Sequence, residues 1–249
     1  MNITINGKKV SCQPGELLLD IAERNSINIP RLCHHDAFPG KGCCRVCITE
    51  VKEGDKSKMV TACIYPVDKE CEVFTDNEKV TKEREMILSF LKKLAPESPE
   101  IKGLCKYYKV DDSYDLPVEA DEGRCIICGL CVDACNALGT GAISTVMRGT
   151  EKKISTPYDD ASKDCIGCGS CVNVCPTGAI EMDDDTADKK RSIWKREFEL
   201  QYCTGCGALM GTREAVDYAA KKAGVKTPEF CEECRQKQLN SVLAETFGW

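Results

Sequence analysis

A repeated cysteine motif constrains this chain more than any other feature of its sequence. Residues 125–135 and 165–175 each follow the pattern C-x2-C-x2-C-x3-C, and Pro176 follows the second copy. Thiolates at every third residue let one tight loop bind three corners of a [4Fe-4S] cubane, while the fourth cysteine points toward the other cubane. The repeat therefore predicts two [4Fe-4S] clusters that exchange their fourth ligands.

This exchange gives each cubane three cysteines from one copy of the motif and one from the other. The predicted ligands of the first cluster are Cys125, Cys128, Cys131 and Cys175. The predicted ligands of the second cluster are Cys165, Cys168, Cys171 and Cys135. The alternatives are two zinc sites or a set of disulfides. Zinc motifs usually pair two C-x2-C knuckles, however, and disulfides are rare in a cytosolic chain.

Cysteine also changes what the length of the chain implies. A chain of 249 residues suggests about two domains. Sixteen of its 20 cysteines fall into four groups of four, so bound metal is expected to hold several small domains together. The net charge of −6 and the lack of a clustered basic face argue against nucleic-acid binding. No segment reads as a signal peptide or a membrane span, and free thiolates need a reducing compartment, so we expect a cytoplasmic chain without membrane insertion.

The first 75 residues predict a domain of another kind. Asn6-Gly7 lies between two short apolar stretches, as in a β-hairpin, and an apolar helix face follows from Leu17 to Ala22. A β-grasp fold begins with this order of two strands and a helix. A long loop then carries most of a plant-type [2Fe-2S] ligand set, in the order of a distant cysteine, a C-x2-C pair and a later cysteine. The predicted ligands are Cys33, Cys44, Cys47 and Cys63.

Three residues of this loop adjoin the predicted ligands. Cys43 is the alternative to Cys44, but Cys44 makes the C-x2-C pair with Cys47. His34 and His35 follow the first ligand, and they are the two histidines of the chain. Rieske centres use two histidines in place of two cysteines, whereas four cysteines are available here. We therefore expect supporting or surface roles for both histidines.

The tail of the chain contains the fourth group of cysteines. Its members, spaced C-x2-C-x24-C-x2-C, are Cys203, Cys206, Cys231 and Cys234. Two such knuckles suit one tetrahedral ion, so zinc is the first prediction, with a single rubredoxin-like iron or a further [4Fe-4S] cluster as alternatives. Residues 181–192 are highly charged and predict a solvated linker. Residues 212–224 and 235–249 have helical spacing, and the whole tail is predicted to be a docking module.

Residues 1–183 resemble a known group of iron-sulfur proteins in the segments RLCHHDAFPGKGCCRVCITEV, VTACIYPV, RCIICGLCVDACNALGTGAI and DCIGCGSCVNVCPTGAI. The group comprises the large iron-sulfur subunit of respiratory complex I, the accessory region of iron-only hydrogenases and the small diaphorase subunit of NAD-linked nickel-iron hydrogenases. The resemblance implies that the twelve predicted cysteines bind one [2Fe-2S] and two [4Fe-4S] clusters.

The connector departs from that group. Residues 76–95 predict a helix whose apolar stripe contains Val80, Ile87, Leu91 and Leu94. In the group this connection leads to a further [4Fe-4S] site with one His and three Cys ligands, but here only Cys105 remains and no His follows residue 35. That cluster is expected to be absent, and Cys105 is expected to be a relict or a packed thiol. No role is predicted for Cys12, Cys43 or Cys71.

Four domains of α+β class are expected. They are a plant-type [2Fe-2S] β-grasp domain at 1–75, a helical connector with a degenerate His/Cys cluster region at 76–118, a 2×[4Fe-4S] ferredoxin domain at 119–183, and a zinc-ribbon-like docking module with four cysteine ligands at 184–249.

The predicted function is electron transfer without a substrate site. The sequence contains no dinucleotide-binding loop, no Walker loop and no cysteine set for a hydrogen-forming cluster, so no catalytic residue is assigned. We expect a subunit of an anaerobic, NAD(P)-linked complex of hydrogenase, formate dehydrogenase or electron-bifurcating type. Its partners would be a flavoprotein that binds FMN and NAD(P)H and a catalytic subunit. The alternatives are a free polyferredoxin and a stand-alone reductase, which would need a flavin site.

Overall fold

The computed structural model describes residues 1–111 and 123–248. The chain divides into two compact units. The first unit consists of Met1–Asp133 and Val174–Ile180, and the second consists of Ala134–Asn173 and Glu181–Trp249. Residues 174–180, which contain Cys175, thus belong with the earlier part of the chain.

In its described residues, the first unit contains a five-stranded sheet, a two-stranded sheet and three complete helices. Its strands are β1 (Asn2–Ile5), β2 (Lys8–Ser11), β3 (Glu16–Leu17), β4 (Ile48–Glu53), β5 (Lys56–Thr61), β6 (Pro66–Val67) and β7 (Glu72–Phe74). Its helices are α1 (Leu18–Arg24), α2 (Glu78–Leu94) and α3 (Pro99–Tyr107). Helix α4 (Leu130–Leu138) begins in this unit and ends in the second.

The larger sheet has the strand order β2-β1-β7-β4-β5. The predicted hairpin is confirmed, because Asn6 and Gly7 form the turn between β1 and β2 with φ angles of 48° and 81°. Strand β1 is parallel to β7, and the other neighbouring strands are antiparallel. The buried core between the sheet and α1 includes Ile3, Ile5, Val10, Leu18, Leu19, Ile21, Val51 and Val73.

The predicted connecting helix is present as α2, but part of its buried face differs from the prediction. Val80 and Leu91 are buried as expected, whereas Ile87 is only half-buried and Leu88 is fully buried in its place. Arg84 is also fully buried. A period of 3.6 residues places positions 80, 84, 88 and 91 on one face, so the helix turns a charged residue toward the core.

Asn77 fixes the start of α2. Its side-chain oxygen accepts a hydrogen bond from the backbone N–H of Val80 at 2.9 Å, and its amide donates to Glu50 Oε2 at 2.7 Å. Hydrogen bonds from Ser57, Asn77 and Lys79 lower the pKa of Glu50 to about 2. One residue therefore caps the helix and holds it to strand β4.

The second unit contains the remaining strands and helices. The strands are β8 (Ser144–Val146), β9 (Lys153–Ser155), β10 (Asp183–Asp185), β11 (Lys190–Ile193), β12 (Arg196–Tyr202) and β13 (Leu209–Thr212). The helices are the end of α4, α5 (Ser170–Asn173), α6 (Arg213–Ala223) and α7 (Glu232–Phe247). Strands β8 and β9 form an antiparallel pair, and β10 to β13 form a fully antiparallel sheet in chain order.

Residues 181–192 are mostly exposed, as the prediction of a solvated segment requires, but they form strands and not a linker. These residues supply β10 and most of β11, and Arg191 is buried. Arg191 donates through Nε and Nη2 to both carboxylate oxygens of Asp184, at 2.6 and 2.7 Å. Hydropathy did not predict this hairpin, because a buried position on β11 is occupied by Arg191 and its ion pair with Asp184 and not by an apolar side chain.

The two tail helices are present where the sequence predicted helical spacing. Thr212 caps the start of helix α6, because its side chain accepts a hydrogen bond from the N–H of Ala215. Gly224, in the left-handed conformation, caps the end of the helix. Helix α7 has no buried residue in the described part, and its apolar residues Leu239, Val242 and Phe247 are exposed. None of the described helices has the length and apolarity needed to cross a membrane.

Replacing Asn77 with Ala is expected to lower the free energy of unfolding by about 1 kcal/mol or more, because both the cap and the contact to Glu50 are lost. The matched control is Asn77→Ser, which keeps a capping oxygen and should destabilise less. Anaerobic thermal denaturation of the cluster-loaded protein, followed by circular dichroism, measures both. Equal losses in the two variants would contradict a capping role.

Candidate metal centres

The structure brings the predicted [2Fe-2S] ligands together. The loop between α1 and β4 carries three of them, and the fourth lies in a 3-10 turn at Ala62–Ile64, after β5. The four side chains, each no more than 5% exposed, are Cys33, Cys44, Cys47 and Cys63. The backbone N–H of Cys44 donates to Cys33 Sγ at 3.3 Å. The thiols of Cys43, Cys44 and Cys63 hydrogen-bond to the Cys33 sulfur and lower its pKa, and Cys63 also hydrogen-bonds to Cys47.

Two glycines let this loop approach the fourth ligand. A Cβ atom at Gly40 would overlap the carbonyl oxygen of Cys63, and one at Gly42 would lie 2.5 Å from Ile64 Cδ1. Gly42 also has a φ of 60°. Larger residues would therefore push the loop away from the turn that carries Cys63.

Arg84 supports this site from α2, and the sequence analysis did not identify it. Its Nε donates to the carbonyl oxygen of Val46 at 2.9 Å, and its Nη2 donates to that of Ile48 at 2.7 Å. These residues flank Cys47. Burial lowers the pKa of Arg84, whose guanidinium lies 5.2 Å from the ring centre of Tyr108. A buried cation therefore fixes the backbone on both sides of one predicted ligand.

The first cubane quartet lies wholly in the first unit. Its members are Cys125, Cys128, Cys131 and Cys175. Backbone N–H groups donate to two of these sulfurs, from Ile127 to Cys125 and from Ala179 to Cys175, both at 3.3 Å. Burial raises the pKa of Cys128 to about 11, and the charges of Cys175 and Cys125 add to the shift.

Two residues of the [2Fe-2S] loop contact the loop of the first cubane quartet. Lys41 Nζ lies 2.6 Å from Asp133 Oδ2 and donates to the carbonyl oxygen of Gly129 at 3.2 Å. The exposed Cys43 thiol, which also hydrogen-bonds to Cys33, lies 3.8 Å from the carbonyl oxygen of Cys128. The two ligand loops are thus directly connected within one unit.

The second cubane quartet lines a cavity in the second unit. The four residues are Cys135, Cys165, Cys168 and Cys171, and Ile193 and Trp194 from the β11–β12 hairpin complete the lining. The backbone N–H of Ala142 donates to Cys135 Sγ at 3.1 Å, and the indole Nε1 of Trp194 donates to Cys171 Sγ at 3.5 Å. Burial raises the pKa of Cys171 to about 11. The structure therefore places Cys135 with the later copy of the motif.

The tail quartet is the tightest group. The four sulfur atoms, all within 4.8 Å of one another, belong to Cys203, Cys206, Cys231 and Cys234. Sulfurs bound to one tetrahedral ion at about 2.3 Å lie about 3.8 Å apart, and the Sγ atoms of Cys206 and Cys231 are 3.6 Å apart. Chiefly because the N–H of Cys231 donates to its sulfur, the pKa of Cys203 is lowered to about 6, which favours a metal-binding thiolate.

Comparison with known domain families finds two kinds of iron-sulfur domain in the chain. The family model of a 2Fe-2S iron-sulfur cluster binding domain matches residues 1–78, and that of a 4Fe-4S dicluster domain matches residues 119–182. This chain is an iron-sulfur protein that contains both domains. A second 4Fe-4S dicluster model matches residues 164–236 and so extends into the tail quartet.

Several characterised proteins are similar to this iron-sulfur protein. The NADP-reducing hydrogenase subunit HndD of Solidesulfovibrio fructosivorans is 31% identical over 212 residues, which are 72% of this chain and 36% of that protein. The NADPH-Fe(3+) oxidoreductase subunit alpha of Geobacter sulfurreducens is 32% identical over 203 residues, 72% of this chain and 24% of that protein. The mitochondrial NADH-ubiquinone oxidoreductase 78 kDa subunit of Candida albicans is 27% identical, over 72% of this chain and 28% of that protein.

A solved structure shares the fold. It is a chain of an NAD+-reducing [NiFe]-hydrogenase in the H2-reduced state, which superposes with a TM-score of 0.61 at 23% identity. The superposition covers 72% of this chain and 85% of that chain. By contrast, this iron-sulfur protein spans about a quarter to a third of the length of the three relatives above.

Cys12, Cys71 and Cys105, which are outside the four quartets, lie in or beside the apolar cores. Cys12 is buried beneath the five-stranded sheet, and Cys71 packs at the edge of the same core. Burial raises the pKa of Cys71 to about 11. Cys105 is buried between α2 and α3, as a packed thiol would be. Of the two histidines, His34 is buried beside Asp36, and His35 accepts from the N–H of Ala37.

Replacing Cys231 with Ser is expected to remove one metal ion from the tail and to leave the iron content at about ten atoms per chain, the sum expected for the three clusters. The matched control, Cys71→Ser, should keep both metals. Anaerobic elemental analysis measures zinc and iron together. A loss of about four iron atoms from the Cys231 variant would instead place a cubane in the tail.

The exchange of fourth ligands is tested by Cys175→Ala and Cys135→Ala. The first variant is expected to damage the cluster of Cys125, Cys128 and Cys131, because the structure places Cys175 with them. The second should damage the other cubane. Anaerobic alkylation with mass spectrometry identifies which thiols become reactive, and electron paramagnetic resonance follows the surviving cluster. Reactive thiols nearest in sequence to each substitution would contradict the exchange.

Proposed function

We propose that this iron-sulfur protein is the electron-transfer subunit of a multi-subunit, NAD(P)-linked oxidoreductase. It relays single electrons between a flavoprotein subunit and a catalytic subunit through one [2Fe-2S] and two [4Fe-4S] clusters. The complex is of the hydrogenase, formate dehydrogenase or electron-bifurcating type. The names of the relatives support this proposal, since they are subunits of an NADP-reducing hydrogenase, an NADPH-Fe(3+) oxidoreductase and an NADH-ubiquinone oxidoreductase.

The contact between two ligand loops carries the proposal. Lys41 joins the [2Fe-2S] loop to the first cubane loop through Asp133 and Gly129, and Cys43 contacts both Cys33 and Cys128. Electrons pass between centres one at a time, so adjacent ligand loops in one compact unit are what a relay requires. A free carrier with isolated clusters has no need of this arrangement.

The proposed cofactor assignment follows the four quartets. We assign the [2Fe-2S] cluster to residues 1–75 as a β-grasp domain, and the sheet order β2-β1-β7-β4-β5 with helix α1 on its core supports this. The cubanes are assigned to the two crossed quartets. The tail is assigned one Zn2+, because its four sulfurs lie closer together than ligands that each bind a different iron of a cubane.

A flavoprotein partner follows from the chemistry of hydride donors. NAD(P)H releases two electrons together, and a flavin divides them into single electrons that a cluster accepts. We therefore propose that a subunit binding FMN and NAD(P)H supplies this chain, and that a catalytic subunit receives the electrons. The described residues of this chain contribute ligand loops, N–H donors to sulfur and buried cations, which hold the clusters and set their potentials.

The purified chain is expected to oxidise no NAD(P)H with viologen dyes, because two-electron oxidation needs the flavin of its partner. Dithionite should reduce its clusters directly. Adding the flavoprotein subunit, obtained by anaerobic pull-down at native expression level, should let NAD(P)H reduce the same clusters, as followed by visible absorption and electron paramagnetic resonance.

Two results would contradict this function. Oxidation of NAD(P)H by the pure chain would reveal a flavin site of its own and a stand-alone reductase. Purification from native cells as a monomer without any partner would favour the free polyferredoxin.

Lys41→Met tests the relay within the chain. It should slow electron exchange between the [2Fe-2S] cluster and the first cubane, whereas Lys56→Met, at an exposed position of β5, should not.

A further inference from the structure

We propose that the β11–β12 hairpin caps the second cubane site and that Trp194, at its tip, raises the reduction potential of that cluster by donating a hydrogen bond to the sulfur of Cys171. The inference rests on the proposed function in one respect, namely that this quartet holds a [4Fe-4S] cluster. It goes further by giving the tail of the chain a direct part in electron transfer.

The tip of the hairpin has an unusual backbone. Trp194 and Lys195 form the two-residue turn between β11 and β12, with φ angles of 53° and 59°. Turns of this type usually contain Asn and Gly, since positive φ is costly for large side chains. The sequence places tryptophan at such a position, and the turn directs its indole at the cysteine cavity.

The indole reaches the cluster site itself. Its Nε1 donates to Cys171 Sγ at 3.5 Å, and its ring lines the cavity beside all four predicted ligands. A hydrogen bond to a ligand sulfur draws charge from the cluster and stabilises the reduced state, which carries one more negative charge. The ring also covers the cavity and limits access of water to the cluster.

Two arginines attach the hairpin to the ligand loop. Arg191 on β11 donates to the carbonyl oxygen of Gly167 at 2.9 Å. Arg196 on β12 donates to the carbonyl oxygens of Ser162 at 3.0 Å and of Cys165 at 2.6 Å. The two strands are therefore attached to the ligand loop on both sides of Trp194, which keeps the turn that carries the indole next to the cysteine cavity.

Close packing makes this attachment specific. Gly167, between the ligands Cys165 and Cys168, has a φ of 64°, and a Cβ atom there would lie 2.7 Å from the ring of Phe198 on β12. The ligand loop and the hairpin thus fit together with no space for a larger residue. The hairpin belongs structurally to the second cubane site, although it follows that motif in sequence.

Hydrogen bonds to the fourth cysteines of the two cubane quartets occur in matching pairs. Backbone N–H groups donate to the fourth cysteines, from Ala142 to Cys135 and from Ala179 to Cys175. Threonine hydroxyls lie near the same two sulfurs. These pairs affect both clusters alike, whereas the indole acts on the second one, so its removal should change the difference between the two potentials.

Trp194→Phe tests the inference, because it keeps an aromatic ring and removes the N–H. Anaerobic redox titration of the full chain, followed by electron paramagnetic resonance, should show the equilibrium constant for reducing one cubane falling by about threefold to tenfold, where tenfold is 59 mV for one electron. The other cubane and the [2Fe-2S] cluster should not shift. The matched control is Tyr158→Phe, an aromatic change at a residue of the same unit that is 96% exposed, and it should shift none of them.

A second measurement needs no change at Trp194. In a Trp249→Phe background, tryptophan labelled with 15N in the indole ring marks Trp194 alone, since the chain has two tryptophans. Electron-nuclear double resonance of the reduced protein should then detect a coupled 15N and its exchangeable proton. This result is expected even if Trp194→Phe loses its cluster.

The outcomes separate the inference from the proposed function. The role of Trp194 would be overturned if Trp194→Phe kept two cubanes with unchanged potentials, or if the labelled protein showed no coupled 15N. Either result would leave the electron-transfer proposal intact. A wild-type protein with only one cubane by iron content and spectroscopy would overturn the cofactor assignment itself.

Discussion

Sulfur atoms from distant parts of the chain must meet at each metal centre, and the architecture follows from this requirement. Cys175 is the clearest case, since a short segment around it joins the first unit while the residues on either side belong to the second. Cys63 likewise joins the other predicted [2Fe-2S] ligands from a turn after β5. Metal-thiolate bonds therefore replace part of the apolar area that domains of this size would otherwise need.

Negative charge at these centres explains where the protein places its cations and N–H donors. Arg84 is buried next to Cys47, Lys41 lies between two ligand loops, and Arg196 binds the carbonyl oxygen of Cys165. Clusters with thiolate ligands carry net negative charge, so nearby positive groups stabilise the reduced state. The same contacts also hold the loops in shape, so we expect each of these residues to affect both stability and potential.

The Asn6-Gly7 hairpin, helices α1, α2, α6 and α7 and the proximity of the four tail cysteines were predictable, because short spacing rules determine them. Arg84 and Trp194 were not, since their roles depend on contacts with residues far away in sequence. The charged segment at 181–192 was misread for a related reason: the ion pair of Arg191 with Asp184 fills a buried position that hydropathy assigns to solvent. Local patterns thus identify candidate ligands, but they do not identify the residues that contact the ligand loops from elsewhere in the chain.

The proposed exchange of fourth ligands also implies an order for biogenesis. During synthesis the [2Fe-2S] quartet is complete once Cys63 has emerged from the ribosome, but neither cubane quartet closes until Cys171 and Cys175, four residues apart, have followed. Until then six of the eight cubane thiols are exposed on a nascent chain without a metal to bind. Under this assignment, cluster delivery to both sites comes late in synthesis, and a chain interrupted before residue 171 carries neither cubane in finished form.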